Sequence, residues 1–346
     1  MDGPTPIFPT DAPPPSGGPL GSSAQEGSPR KGLRGLLLRA LRGRRLGDLV
    51  FVNLTRSAAV VVVGLVVGIV ASLMISGKPA FEAIGSGFLG PEWLPGGQPP
   101  RYGALPLVWG TLVTAGLALL LGVPVAFGIA IVLSELAPPV VRTPLSIVIE
   151  LLAAIPSVVY GLWGIFILAP FLRDSVYPGL QATWGWTGLF GGAASGYSVL
   201  TAAILLAIMI IPTVSAISRE VLRAVPVAQR EAALALGATP WEVVRMAVLP
   251  YGRSGLFGAS VLGLARAIGE TMAVTMVIGN RNAFFSSLLQ PANTIPSVLA
   301  NEVFEASGTH LSALFALGII LFLVALTINI FAQLLLLRLR RRGAHA

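Results

Sequence analysis

The chain contains no cysteine, which excludes disulfides, thiol chemistry and thiolate metal sites. It has two histidines, His310 and His345, far apart and outside any ligand spacing. Charge is scarce: 11% of the residues are Asp, Glu, Lys or Arg, where soluble domains carry about a quarter. No Gly-x-x-x-x-Gly-Lys-Ser/Thr loop occurs. Gly77-Lys78 is followed by Pro79 and has no upstream glycine at the required spacing. The chain therefore cannot cradle ATP phosphates by itself. No nucleophile–base–acid cluster and no set of metal-binding side chains is present, so neither enzymatic activity, nor a cofactor, nor a metal is expected.

Apolar residues fill the space that charge leaves. They make up 54% of the chain, and the mean hydropathy is +0.82. This composition is that of an integral membrane protein in the lipid bilayer. The net charge of +8 needs no nucleic acid to account for it, because basic residues mark the cytoplasmic side of membrane proteins.

Residues 1 to about 30 are rich in Pro, Gly and Ser and have no apolar period, so disorder is expected there. No apolar core follows within signal-peptide range. Arg30 to Arg45 interleaves basic residues with Leu36, Leu37, Leu38 and Leu41, as an amphipathic segment on an anionic leaflet does. A disordered, basic cytoplasmic tail over 1–48 is the expectation. Six apolar stretches follow, each near the ~20 residues needed to cross ~30 Å of hydrocarbon. They are Ala58 to Ser76, Ala104 to Leu133, Ile147 to Ala169 with Pro156 near its middle, Ser198 to Ile217, Gly255 to Val277, and Leu311 to Leu335. Six spans put both termini on one side. Eighteen arginines and lysines fall on that side and four on the other, so both termini are expected in the cytoplasm. The expected fold class is all-α, with six transmembrane helices.

One polar interruption in the second half is long enough to form structure, Glu231 to Pro250. Arg230 to Leu236 is rich in Ala and Leu and reads as a helix. Gly237 fits the left-handed position that closes it. Thr239, Pro240 and Glu242 read as N-cap, N1 and N3 of a second helix, a capping box with proline in its first turn. Leu249-Pro250 is expected to end that helix. The framework of Glu231, Ala232, Gly237, Leu249 and Pro250 resembles the "EAA" cytoplasmic loop of ABC import permeases. Ala247 departs from the pattern, where the family has isoleucine. The resemblance implies that 231–250 docks into a groove of a separate ATP-hydrolysing subunit.

Arg266 and Glu270 lie near the middle of the fifth apolar stretch. A central arginine costs about 2.5–3.5 kcal/mol on insertion scales, so it must face protein or a wet path. Four residues apart on one helix, the two side chains are expected within reach of each other. Two readings stand side by side: a buried ion pair that fixes packing, or a pathway cation offering a planar set of donors to an oxyanion. The segment Arg266-Ala-Ile-Gly-Glu270-Thr-Met-Ala-Val resembles phosphate-specific ABC permeases of the PstC type. So do Tyr102-Gly-Ala-Leu-Pro106, Leu133-Ser-Glu135-Leu-Ala-Pro138 and Glu150 to Gly164. The resemblance covers about 100–340 and implies a pathway role for Arg266 and Glu270. Pro156 frees a helix carbonyl, and Ser157 and Tyr160 beside it are candidate donors to an anion.

The domain layout expected is a tail over 1–48, a first helix with an extracytoplasmic loop over 49–103, a permease core of the type I ABC importer kind over 104–338, and a basic cytoplasmic end over 339–346. No extracytoplasmic segment is long enough to capture substrate. The partners implied are a sister permease (PstA type), an ATP-binding subunit dimer (PstB type) and an extracytoplasmic phosphate-binding protein (PstS type), in the inner membrane of a bacterium.

Overall fold

The computed structural model describes residues 30–343, with side-chain surroundings for 47–338. The disorder expected for residues 1–29 lies outside the described residues. The chain divides into two compact units, one ending at Val66 and one beginning at Val67. Helix α1 (Arg30–Ile84) supplies the described part of the first unit. The helix begins at Arg30, inside the stretch 1–48 read as a tail. Leucine, arginine and lysine are strong helix formers, and no proline interrupts the stretch before Pro79. All side chains from Gly47 to Val66 are exposed, among them Val60, Val61, Val62, Val63 and Leu65.

In the second unit a small antiparallel hairpin, β1 (Trp93–Leu94) and β2 (Arg101–Tyr102), pairs Trp93 with Tyr102. It is a two-stranded exception to the all-α expectation. Then follow α2 (Leu105–Ile131), α3 (Pro139–Ala154), α4 (Ser157–Trp163), α5 (Ala169–Phe171), α6 (Tyr177–Trp184) and α7 (Val199–Arg223). Helices α8 (Val227–Ala235) and α9 (Pro240–Val243) form the polar interruption. The chain ends with α10 (Leu249–Gly269), α11 (Met272–Val277), α12 (Ile295–Glu302) and α13 (Gly308–Gly343).

Helix α7 is the axis of the second unit, and two thirds of its most apolar window is buried. Helices α2 and α10 pack along it. Small residues allow the approach. A Cβ at Gly122 of α2 would meet Ile210 and Ala207 of α7, and one at Gly263 of α10 would meet Val214. Separate apolar clusters close the two ends. Phe88, Trp93, Leu107, Ile295, Val298 and Leu314 gather at the hairpin end. Ala130, Leu222, Val225, Val243, Val248 and Leu256 gather at the end that carries α8 and α9.

Three expectations about helices are corrected. The third apolar stretch is not one kinked helix. Ile155 and Pro156 are extended, at ψ 127° and 143°, and separate α3 from α4. Past the break, π turns at Gly164–Leu168 and Leu172–Val176 join α4, α5 and α6, and the helix runs on to Thr187. The fifth stretch is also two pieces: Glu270 is extended at φ −70°, ψ 125°, between α10 and α11. Leu249-Pro250 does not end a helix. The π turn Val244–Val248 carries α9 directly into α10, with Leu249 N–H bonded to the Val244 carbonyl. Its wider winding lets Pro250 sit inside continuous helix.

Five helices among the described residues are long and apolar enough to cross a membrane: Gly47–Leu89, Leu105–Leu136, Ser157–Thr187, Val199–Arg223 and Gly308–Arg338. Helix α10 is not among them, since Arg253, Arg266 and five glycines dilute its 21 residues.

Candidate functional site: a capped loop and two broken helices

The α8–α9 loop is built as its sequence dictates. Gly237 has φ +83°, a conformation in which glycine is not penalised. Its N–H donates to the Leu234 carbonyl at 2.9 Å, and the Ala238 N–H to the Ala233 carbonyl at 3.2 Å. These two bonds are those of a Schellman motif. At the start of α9 the Thr239 hydroxyl oxygen accepts from Glu242 N–H at 3.4 Å, and Glu242 Oε2 accepts from Thr239 N–H at 2.7 Å. The capping box is complete. Accepting from the Thr239 backbone, and then from its hydroxyl, holds the Glu242 carboxyl below the usual carboxylate range. A groove of about 530 Å³ is lined by Ala232, Leu236, Gly237, Glu242, Met246 and others. Leu236 at 90% exposure, with Trp241 and Met246, presents apolar surface beside it. Glu231 and Ala232 are exposed on the same loop.

Two anchors hold this end, and neither was read from the sequence. Arg230 forks onto Glu135, Nη2 to Oε1 at 2.9 Å and Nε to Oε2 at 3.1 Å. Arg219 donates to Ser146 Oγ at 2.8 Å and lies 3.6 Å from Glu150, tying α7 to α3. The signal available in the sequence is one of charge alone: Glu135 and Glu150 are carboxylates beside apolar stretches, and a carboxylate so placed needs a cation.

The remaining candidates gather around the two helix breaks. Gly161 of α4 faces Ala273 and Met276 of α11, and Gly164 faces Val277. The pairing advances in the same direction along both helices, so α4 and α11 are parallel and start near one level. Ser157 opens α4 and Glu270 precedes α11. Arg266 lies in the last turn of α10, exposed and within electrostatic range of Tyr160. The expected Arg266–Glu270 ion pair is not formed. The helix ends at Gly269, so the four-residue spacing no longer puts the two side chains on one face, and among the described residues Arg266 has no carboxylate within 4.0 Å. Glu270 turns instead to α11, where Oε1 accepts from Ala273 N–H at 3.4 Å. Tyr160 is buried, and its hydroxyl donates to the Leu152 carbonyl at 2.9 Å. Leu152 stands four residues before Pro156, so this is the carbonyl that proline leaves without a helical donor. The hydroxyl proton of Tyr160 is committed to the break. Ser157 is half-buried.

At the opposite end Glu302 accepts from Trp93 Nε1 at 3.0 Å and Asn282 Nδ2 at 3.3 Å, and lies 2.8 Å from His310 Nε2. These bonds pin the hairpin to α12 and α13.

Solved structures show the same architecture. A chain of a bacterial alginate ABC transporter in complex with an alginate-bound periplasmic protein aligns with a TM-score of 0.52 at 18% identity, covering 75% of this chain and 85% of that one. A chain of the MetNI methionine ABC transporter, in inward-facing conformations, aligns at 0.51 and 16%, covering 68% and 95%. The fold is that of a membrane permease subunit of a type I ABC importer, in a multi-pass membrane protein. The chain belongs to the family of binding-protein-dependent transport system inner membrane components, whose model matches residues 122–341. Similar curated proteins are phosphate transport system permease proteins PstC. That of Mesorhizobium japonicum is 43% identical over 86% of this chain and 92% of its own length. That of Xylella fastidiosa is 44% identical over 88% and 94%. PstC 2 of Mycobacterium tuberculosis is 40% identical over 82% and 91%.

Proposed function

We propose that this chain is the PstC-type permease of an importer that carries inorganic phosphate across the bacterial inner membrane, driven by ATP hydrolysis in a separate subunit. The observation that carries the reading is Arg266, a cation without a carboxylate partner among the described residues, at the level where α4 and α11 begin. An anion crossing hydrocarbon needs a positive partner there. A neutral or cationic cargo does not, and the arginine would then be an uncompensated cost of about 2.5–3.5 kcal/mol or more. A guanidinium presents paired N–H donors that suit a tetrahedral oxyanion. The names of the similar permeases supply phosphate as the oxyanion.

Arg266 stabilises the passing anion, with Ser157 as a further donor. Glu270 holds the start of α11 between substrates. Tyr160 keeps the break at Pro156 in shape through its hydroxyl bond to the Leu152 carbonyl. Glu231 to Pro250 engages a PstB-type ATPase dimer, whose closure alternates access to the site between the two sides. A PstA-type sister permease completes the pore, and a PstS-type binding protein delivers phosphate from outside. The chain crosses six times, by α1, α2, α3 to α6 as one broken crossing, α7, α10 with α11, and α13. Both termini and the α8–α9 loop lie in the cytoplasm.

The test is uptake of labelled phosphate by proteoliposomes holding all four kinds of subunit. Uptake that requires ATP and resists a tenfold excess of sulfate or molybdate is expected. Uptake without ATP would make the protein a secondary transporter. Equal competition by sulfate or molybdate would assign another oxyanion.

A further inference from the structure

We infer that the Glu135–Arg230 ion pair is the strut through which force on the α8–α9 loop reaches α2, which makes both of them positioning residues for transport. The inference rests on the ATP-driven reading above.

Arg230 lies on α8, one residue before Glu231. Its guanidinium does more than grip Glu135. Nη1 donates to the Val225 carbonyl at 2.6 Å, and Nη2 donates to the Leu222 carbonyl at 2.8 Å. Those carbonyls belong to the C-terminal end of α7 and the turn after it, where a cation is favoured. Glu135 lies in the π turn Val132–Leu136 that closes α2. One guanidinium therefore clamps three elements: the end of α2, the end of α7 and the first half of α8. Only 20% of the Arg230 side chain and 11% of the Glu135 side chain are exposed, so salt and water do little to loosen the pair.

Three connections thus leave the loop. Two are covalent: the three-residue turn 224–226 joins α7 to α8, and α9 winds without a break into α10, whose last turn carries Arg266. The third is the ion pair, the link from α8 to α2, which packs lengthwise on α7. The apolar cluster of Leu222, Val225, Val243 and Val248 lies beneath them. Apolar contact is non-directional and lets one surface slide over another. A forked ion pair fixes direction as well as distance. With the strut intact, displacement of α8 moves α2, α7 and α10 as one body. Without it, the same displacement moves α7 and α10 and slides past α2.

The experiment compares native complex with Glu135→Gln and Arg230→Lys, each purified with its partner subunits in proteoliposomes. It reads copurification, ATP hydrolysis and phosphate uptake. Glu135→Gln keeps the shape and removes the charge. Arg230→Lys keeps the charge and removes the fork. The expected result is intact assembly, ATP hydrolysis near the native rate, and phosphate moved per ATP lowered by about tenfold or more. A contact that merely stabilised the fold would lower hydrolysis and uptake together and leave that ratio unchanged. An unchanged ratio in both variants, with native uptake dependent on ATP, overturns the strut alone. Failure of both variants to assemble makes the pair a folding contact and also overturns it. Native uptake that ignores ATP removes the importer reading and the strut with it.

Discussion

At the scale of the residue, Arg266 and Tyr160 behave differently from what their neighbourhood in the sequence implies. If Arg266 serves the anion as proposed, replacing it by alanine removes two charge-assisted donors, each worth about 1.5–3 kcal/mol. At 1.4 kcal/mol per decade, uptake should fall by about 100-fold or more, with the four kinds of subunit still copurifying. Arg266→Lys keeps the charge without the fork and should fall between native and alanine. Normal uptake by the alanine variant would remove the pathway role. For Tyr160→Phe the expectation runs the other way. Its hydroxyl serves the Leu152 carbonyl, so the loss should appear as about 1 kcal/mol of stability in thermal unfolding, while uptake stays near native. Collapse of uptake at unchanged stability would return the hydroxyl to the pathway. Arg266 is legible in the sequence because a charge in an apolar run must have a reason. The commitment of Tyr160 is not. It depends on which carbonyl Pro156 orphans and on the chain folding back through a break.

At the scale of the element, the capped loop is the part most fully legible, and for a local reason. Schellman closure at Gly237 and the box between Thr239 and Glu242 need only residues a few positions apart, so composition and spacing determine them. Gly237→Val forces a β-branched residue to φ +83°, which should lower stability by about 1–3 kcal/mol and weaken retention of the ATPase. Thr239→Ala should cost about 1 kcal/mol. Binding of the ATPase at native strength by both variants would show that the elbow does not set the docking surface. The cap also predicts a pH dependence. The carboxyl of Glu242 is held below its ordinary value of 4.5. Its contribution is therefore fully present above that value and is lost as pH falls through the lower, folded value. Glu242→Gln should abolish this acid-side loss in unfolding curves collected below pH 5, and a loss that persists would assign it to another carboxylate. The breaks are less legible than the caps. Pro156 announces one. The break at Glu270 follows Ala-Ile-Gly and carries no proline, and the continuity of helix through Pro250 rests on a π turn that no side-chain period encodes.

At the scale of the whole molecule, the distribution of arginine and lysine supports the six-crossing topology proposed above, one crossing more than hydropathy counts. Among the described residues five helices pass on length and apolarity, and α10 falls short in part because the cation proposed to serve the pathway lies within it. An uncrossed α10 would leave the loop 279–307 on the same side as α8 and α9. The hydrogen bond from Trp93 to Glu302 argues against that, since it joins the hairpin after α1 to α12, as does the shared apolar cluster of Trp93, Ile295 and Val298. The absence of cysteine makes the question directly testable, because any single cysteine is the only thiol in the chain. Gly96 has open space around its Cα, and Leu236 and Phe304 are 90% and 94% exposed. A membrane-impermeant maleimide applied outside the inner membrane should label Gly96→Cys and Phe304→Cys, and should reach Leu236→Cys only after that membrane is opened. Labelling of Phe304→Cys together with Leu236→Cys would mean that α10 and α11 do not cross, and Arg266 would then lose the membrane setting on which its role depends.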